Sequence, residues 1–203
     1  MLWLAGIAFD VRRAELGAQL ADPHWVQKWA PDEPPGLRWW LAVDCAPRDR
    51  QDLDEVHLEH ESLRLPVRSW TELAPRTIEW HEPFDLATND PQGRVYMADH
   101  GDIPEGRIEL LRQVGARVEV RWRGRCDLHL DEVLGAGVPF ELEATATLTR
   151  IVVQGSEPDD DASLRARLAA HLRIDELEPG PLRIGGRYED SVEMRSMTFT
   201  PRA

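Results

Sequence analysis

Cysteine is scarce in this chain: among 203 residues only Cys45 and Cys126 are cysteine, and they form no Cys-x-x-Cys pair. The sequence therefore indicates neither a disulfide framework nor a cysteine-ligated zinc site. No segment approaches the roughly 20 consecutive apolar residues that a membrane helix needs. The apolar start MLWLAGIAF runs directly into Asp10 and two arginines, without a basic leader. We therefore expect a cytoplasmic protein with no signal peptide and no membrane anchor.

The motifs of the common enzyme classes are also missing. The sequence contains no Gly-x-Ser-x-Gly elbow, no phosphate-binding loop and no dinucleotide fingerprint. The pair Gly185-Gly186 is too short for a phosphate loop and predicts a two-residue hairpin turn instead. We expect no cofactor, and we favour a protein without enzymatic activity.

Negative charge, in contrast, is abundant. The chain has 37 acidic residues against 24 Lys and Arg, which gives a net charge of −13. Such a chain is repelled by the phosphates of nucleic acids and by anionic lipid. We therefore expect no nucleic-acid partner and no membrane partner. The partner that this charge favours is a basic protein.

The apolar pattern predicts a sheet with a few helices. From about residue 93 onward, short apolar runs are separated by Gly, Pro and Asp, as in an antiparallel sheet. Residues 2–9 and 37–43 predict buried strands. Residues 11–20 predict a helix, because Val11, Leu16 and Leu20 fall on one helical face. Tryptophans within strand-like runs are expected in the core: Trp3, Trp39, Trp40 and Trp122.

A second helix is predicted after residues 159–161. These three aspartates precede an apolar stripe at i, i+4 spacing, so they suit the positive end of a helix dipole better than a cation site. The stripe consists of Leu164, Leu168 and Leu172. Taken together, the patterns predict one α+β domain over residues 1–203, mainly an antiparallel sheet with two or three helices packed on one face.

The segment CDLHLD, residues 126–131, places Asp127, His129 and Asp131 at alternate positions, as a metal site on a strand would. A hairpin about residues 123–125 would instead give each of them a cross-strand partner of opposite sign. These pairs are Arg121 with Asp127, Glu119 with His129, and Arg117 with Asp131, while Trp122 would face Cys126 on the buried side. A hairpin about residues 113–115, with Gly115 in the left-handed conformation, would precede it and align Leu110 with Val118 and Ile108 with Val120. We favour the solvated sheet over the metal site.

Two histidine clusters are the remaining candidates for catalysis. Residues 48–65 fit a helix or a strand. His57, His60 and Glu61 would converge on a helix, whereas on a strand the two histidines point to opposite sides. The order differs from the His-Glu-x-x-His of metalloproteases. In residues 99–102 His100 stands beside carboxylates, as general acid–base catalysis requires, although a turn explains the segment equally well.

Two segments are candidates for a partner-binding surface. Trp25 and Trp29 stand four residues apart, the spacing of one helical face, before the acidic, proline-rich residues 31–36. Aromatic anchors bordered by charge are typical of protein interfaces. The second segment is the acidic stretch 49–61. The candidate partner-binding residues are Trp25, Trp29, Asp32, Glu33, Asp52, Asp54, Glu55, Glu59 and Glu61.

These observations favour a cytoplasmic protein-binding module, such as a bacterial inhibitor or immunity protein, that occludes a basic partner. The alternative from another class is a metal-assisted hydrolase that uses His57, His60 or His100 with nearby carboxylates. A structural domain with neither activity is the third interpretation.

Overall fold

The structure, a computed structural model, describes residues 1–29, 31, 36–49, 53–85, 91–97, 99–128, 135–187 and 192–202. In this part of the chain thirteen strands form one sheet. They are β1 (Leu2–Leu4), β2 (Ile7–Leu20), β3 (Leu37–Pro47), β4 (Val56–Leu63), β5 (Arg76–Trp80), β6 (Arg94–Met97), β7 (Asp99–Asp102), β8 (Glu105–Val114), β9 (Arg117–Leu128), β10 (Gly135–Ser156), β11 (Leu177–Pro179), β12 (Arg183–Arg187) and β13 (Glu193–Pro201). The α-helices are α1 (Pro23–Trp29) and α2 (Asp161–Ala169), and single 3-10 turns span Trp70–Glu72 and Ile174–Glu176.

The predicted α+β class is wrong, because the described chain is mainly β, with 62% strand and 12% helix. The expected helix over residues 11–20 belongs to β2 instead. Its buried residues Ala14, Leu16, Ala18 and Leu20 recur at every second position, the period of a strand. Alanine marks this alternation only weakly in the sequence, so Leu16 and Leu20 suggested a helical stripe. The described chain has two short α-helices, of seven and nine residues, beside a sheet of thirteen strands.

The sheet curls into a half-barrel with the strand order β5-β8-β9-β10-β1-β2-β3-β4-β6-β7. Its far end turns back until β7 meets β9. A Cβ atom added to Gly101 of β7 would fall 1.7 Å from the backbone oxygen of Asp127 in β9. Glycine is therefore what allows the two strands to approach so closely.

The longest strand, β10, is shared by several neighbours along its length. Its first half pairs with β9, and its second half pairs with β13, from Ile151 opposite Phe199 onward. On the other side, β1 has only three residues and separates β10 from β2 near the start of the chain. Beyond β1, β2 and β10 pair directly and in parallel, with Leu16 opposite Leu148. The rest of the sheet is antiparallel.

The hairpin that joins β8 to β9 forms where the sequence predicted one, but in a different register. Gly115 has the predicted left-handed conformation, with φ +57°. The turn has two residues rather than three, and the register of β8 shifts by one residue at Leu111. As a result, Leu110 lies opposite Val120 and Ile108 opposite Trp122. This register brings Glu109 opposite Arg121, a complementary pair, whereas Arg107 lies opposite another arginine, Arg123.

The second predicted hairpin, about residues 123–125, is wrong. β9 runs through Gly124 without a turn and pairs with β10, so Trp122 lies opposite Leu142 and Cys126 opposite Val138. Residues 129–134, and with them His129 and Asp131, lie outside the described residues. The predicted turn at Gly185-Gly186 is wrong as well, since both glycines lie within β12.

The second helix is confirmed. Asp160 caps α2: its Oδ1 accepts a hydrogen bond from the Ser163 backbone N–H at 2.8 Å, and Ser163 Oγ accepts one from the Asp160 N–H. The predicted stripe is buried against the sheet, with Leu164, Leu168 and Leu172 at most 3% exposed. Of the three aspartates, Asp160 thus caps the helix, as the sequence indicated.

The concave side of the half-barrel holds a core rich in aromatic rings. Trp39 and Trp122 are fully buried, as predicted, and Trp122 packs edge-on against Trp80 and Phe140. Trp3 contradicts the prediction, because it points to the outer side of β1 and is 50% exposed.

Candidate functional site

A row of polar side chains crosses five neighbouring strands on the outer side of the sheet. The backbone register aligns one residue from each of β2, β3, β4, β6 and β7. The row reads Arg13, Asp44, His57, Tyr96, His100. The adjacent row, from Val43 across to Gly101, is buried and faces inward. Because side chains alternate along a strand, the polar row faces solvent.

Asp44 and His57 form the closest contact in this row. His57 Nδ1 lies 2.6 Å from one oxygen of Asp44, and Arg13 Nε donates to the other oxygen at 2.7 Å. Partial burial opposes ionisation of Asp44, but the hydrogen bonds from His57 and Arg13 outweigh it and lower the pKa of this carboxyl. The carboxylate is therefore held ionised between two cationic groups.

His57 has a second acidic neighbour on its own strand. Its Nε2 lies 3.7 Å from a carboxylate oxygen of Glu59. Glu59, together with the hydrogen bond to Asp44, raises the pKa of His57 against the opposing effect of partial burial. Since both ring nitrogens face carboxylates, the imidazole suits a charged bridging role better than that of a general base.

Carboxylates accumulate on this side of the sheet. We define the acidic face by the outward carboxylates of β3, β4 and β7 and by two exposed carboxylates that line the cavity described below. The outward ones are Asp44, Glu59, Glu61 and Asp102, and the cavity adds Glu55 and Asp99. Two arginines contact these carboxylates: Arg13 lies 2.7 Å from Asp44, and Arg94 lies 3.5 Å from Glu61. The acidic face thus carries more negative than positive charge.

A cavity of about 340 Å³ opens on the acidic face. Its lining includes three carboxylates and three rings: Asp44, Glu55, Asp99, His57, Tyr96 and His100. The rings of His57 and Tyr96 have centroids 5.5 Å apart and planes inclined by 55°. His100 Nδ1 lies 3.1 Å from Asp99 at the far side. The cavity therefore combines negative charge with aromatic walls.

His60 does not join this site. β4 is a strand, so His57 and His60 lie on opposite sides of the sheet, and the convergence that a helix would give does not occur. His60 is 2% exposed, and its ring meets that of Trp80 edge-on with centroids 4.9 Å apart. Desolvation lowers the pKa of His60 to about 3, so the ring is neutral at physiological pH.

The other predicted partner-binding residues are only partly brought together. Glu55, Glu59 and Glu61 lie on the acidic face, and Asp54 is exposed in the segment that leads into β4. Trp25 is 38% exposed on α1, next to the Leu20–Leu37 pair at the other end of β3. Eight residues of strand separate that end from Cys45, about 26 Å at 3.3 Å per residue. Asp32, Glu33 and Asp52, and the side chain of Trp29, lie outside the described residues.

The outer side of β8, β9 and β10 is charged but balanced. A groove of about 520 Å³ crosses it, and the arginines on it have acidic partners. Arg123 lies 2.6 Å from Glu141, and Arg125 lies 3.0 Å from Glu105. Asp127, which the sequence analysis considered as a metal ligand, accepts a hydrogen bond from the Gly137 N–H at 2.7 Å. The predicted pair of Arg121 with Asp127 does not form, because Arg121 lies 2.9 Å from Glu143 instead.

The described part of the chain contains no group of three or more His, Cys, Asp or Glu side chains arranged to hold a metal ion. Neither of its α-helices has the length and apolar character to cross a membrane. Cys45 and Cys126 are buried, and burial raises the pKa of each thiol to about 12.

Sequence reasoning missed Asp44, Tyr96 and Arg13. Asp44 is the one charged residue between Leu41 and Pro47. This interruption of an apolar run was the local sign of a functional residue. Its partners come from β2 and β6, and nothing local to Asp44 indicates which strands will lie beside it. The chain matches no protein-family model, no curated protein and no solved structure.

Proposed function

We propose that this protein is a protein-binding module whose acidic face covers a cationic site on a basic partner. The observation that carries the proposal is the excess of carboxylates, contributed by β3, β4 and β7, along one end of the sheet formed by β3, β4, β6 and β7. Elsewhere on the outer side of the sheet, as around Arg123, arginines and carboxylates are matched. A concentrated negative surface attracts a basic protein over a long range and aligns it before contact.

Support also comes from the rigidity of the acidic face. Its carboxylates stand on strands that are hydrogen-bonded to neighbours, and Asp44 is fixed by Arg13 and His57. Pre-positioned groups lose little side-chain entropy on binding. An inhibitor or immunity-type protein that acts in the cytoplasm is the form of module that we propose, because occlusion requires a rigid, complementary surface and no catalytic group.

The test compares three forms of the protein immobilised on a column. The first is the wild type, and the second carries Glu55→Gln, Glu59→Gln and Glu61→Gln. The third is the matched control, with exposed carboxylates replaced on other elements: Glu72→Gln, Glu82→Gln and Glu178→Gln. Both variants change the net charge from −13 to −10, since each loses three negative charges. They differ only in where the charge is removed.

Extract of the native host is passed over each column at low salt. We expect a basic protein to be retained by the wild type and by the control, but not by the acidic-face variant. Retention of the same proteins on all three columns, or of acidic proteins only, would contradict the proposal.

A further inference from the structure

The cavity on the acidic face has the composition of a site for a flat cation. The rings of His57 and Tyr96 border it side by side, and their 55° inclination means that they do not stack on each other. Tyr96 is half-buried and held in register between His57 and His100. An aromatic face that borders a cavity attracts a cation through its ring quadrupole.

The carboxylates around the cavity come from three separate segments. Asp44 stands on β3, Glu55 precedes β4, and Asp99 begins β7. Asp44 is already shared by Arg13 and His57, and Asp99 contacts His100. Glu55 is exposed, and no ion pair joins it to another described residue. Acceptors on different sides of the opening would meet a group that donates hydrogen bonds in more than one direction.

The size of the cavity restricts its occupant. A volume of about 340 Å³ lies at the lower end of the roughly 300–1,000 Å³ that small-molecule sites span. A single long side chain of a partner fits this volume, whereas a folded element does not. The cavity is therefore suited to one inserted side chain at the centre of a larger contact.

Among cationic side chains, arginine matches these features better than lysine does. Its guanidinium is planar, stacks on aromatic faces and carries five N–H donors in a fixed geometry. The lysine ammonium is a compact and strongly hydrated point charge, so it gains less from a ring. The groove on the outer side of β8–β10 does not offer an excess of carboxylates to a cation, because Glu105 and Glu141 already pair with arginines of the chain.

We propose that the cavity bordered by Asp44, Glu55, His57 and Tyr96 receives an arginine side chain of the basic partner, with its guanidinium against the Tyr96 ring. This inference rests on the proposed function and specifies which residue of the partner is inserted. The face as a whole supplies long-range attraction, and the cavity selects arginine over lysine.

The test uses capped hexa-arginine and hexa-lysine peptides, with a hexa-glutamine peptide as the uncharged reference. Their affinities for the full chain are measured by calorimetry at low salt. Four forms are compared: wild type, Tyr96→Leu, Tyr96→Phe and Trp3→Leu. None of these substitutions changes the charge. Trp3→Leu removes an exposed aromatic ring on the outer side of β1 that does not line the cavity, and it serves as the matched control.

We expect hexa-arginine to bind the wild type about three- to fivefold more tightly than hexa-lysine, the size of an exposed cation–π contact. Tyr96→Leu should abolish the difference, whereas Tyr96→Phe, which keeps the ring, and Trp3→Leu should retain it. Circular dichroism of each variant checks that it is folded. In NMR spectra of the wild type, the changes in amide and ring chemical shifts on adding hexa-arginine should be largest at His57 and Tyr96.

The outcomes separate the inference from the proposed function. If both cationic peptides bind equally and Tyr96→Leu changes neither affinity, the acidic face binds cations but the arginine cavity is refuted. If neither cationic peptide binds more tightly than hexa-glutamine, the proposed function fails together with the inference. NMR chemical-shift changes that fall outside the acidic face would also refute the arginine-binding role of the cavity.

Discussion

His57 and His60 lie three residues apart on the same strand and have opposite environments. His57 lies on the outer side, 2.6 Å from Asp44, where Glu59 and Asp44 raise its pKa. His60 lies in the core against Trp80, where desolvation lowers its pKa to about 3. Folding therefore favours the protonated form of one and the neutral form of the other, so their contributions to stability change with pH in opposite directions.

Replacing His57 by Gln should remove a stabilisation that is present in mild acid. The folded pKa of His57 is raised, so its contribution is complete below the unfolded value near 6.5 and is lost as pH rises through the folded value. The side chain is 32% exposed, and we therefore expect less than about 1 kcal/mol. Urea unfolding of wild type and variant should differ at about pH 6 and converge at about pH 9. A difference that grows with rising pH would contradict this assignment.

Replacing His60 by Phe should remove a loss of stability that the wild type shows as the pH falls. Because the folded pKa is about 3, the wild type is destabilised as pH falls below the unfolded value near 6.5. The loss amounts to about 2 kcal/mol between about pH 7.5 and pH 5. The urea midpoint of His60→Phe should not fall in this way between about pH 7.5 and pH 5, whereas the midpoint of His57→Gln should. Parallel pH profiles for wild type and His60→Phe would show that the imidazole is hydrated rather than buried.

Replacing Gly101 by Ala should destabilise the half-barrel. The added methyl would fall 1.7 Å from the Asp127 backbone oxygen, so β7 and β9 would have to move apart. Overpacking of this kind costs about 1–3 kcal/mol. Gly185→Ala is the control, since nothing lies within 4 Å of its Cβ position, and it should change the free energy of unfolding by no more than about 0.5 kcal/mol. Equal urea midpoints for the two variants would mean that β7 does not close against β9.

Replacing Asp160 by Ala should weaken α2. The substitution removes the hydrogen bond that the Asp160 carboxylate accepts from the Ser163 N–H, at a cost of about 1 kcal/mol. The reciprocal bond, from the backbone N–H of residue 160 to Ser163 Oγ, does not depend on the replaced side chain. Asp160→Asn keeps an acceptor at this position and should restore most of the stability. The stability of both variants is measured by thermal unfolding, with circular dichroism as the signal. A loss that is the same for Ala and Asn would assign the effect to charge rather than to capping.

The sequence predicted local features better than long-range ones. The capped helix with its buried stripe from Leu164, and the left-handed residue at Gly115, depend on neighbours within a few residues. The register of β8 with β9 and the pairing of Cys126 depend on strands far apart in sequence, and both were predicted wrongly. A strand of small residues such as Ala14 and Ala18 shows little alternation in hydrophobicity, which is why β2 was predicted as a helix.

In the candidate site, too, the features that depend on local sequence were predicted and those that depend on strand pairing were not. The carboxylates at Glu55, Glu59 and Glu61 were identified from local charge, and the acidic face contains them. Asp44 and Tyr96 were not identified, because they reach His57 only through the pairing of β3, β4 and β6. Trp25 was grouped with the acidic segment, but the length of β3 separates the two. Local charge thus predicts which residues are exposed, and strand pairing determines which of them meet.

The most direct test of the acidic face is the salt dependence of its association rate with the basic partner. Stopped-flow fluorescence would compare the wild type, the Glu55/Glu59/Glu61→Gln variant and the Glu72/Glu82/Glu178→Gln control at about 20 mM and 300 mM salt, on either side of the ionic strength where screening acts over about 8 Å. At low salt we predict that the acidic-face variant associates about tenfold more slowly than the other two. At high salt the three rates should converge. Equal rates for the variant and the control at low salt would contradict the account, because the same charge would then act equally from any surface.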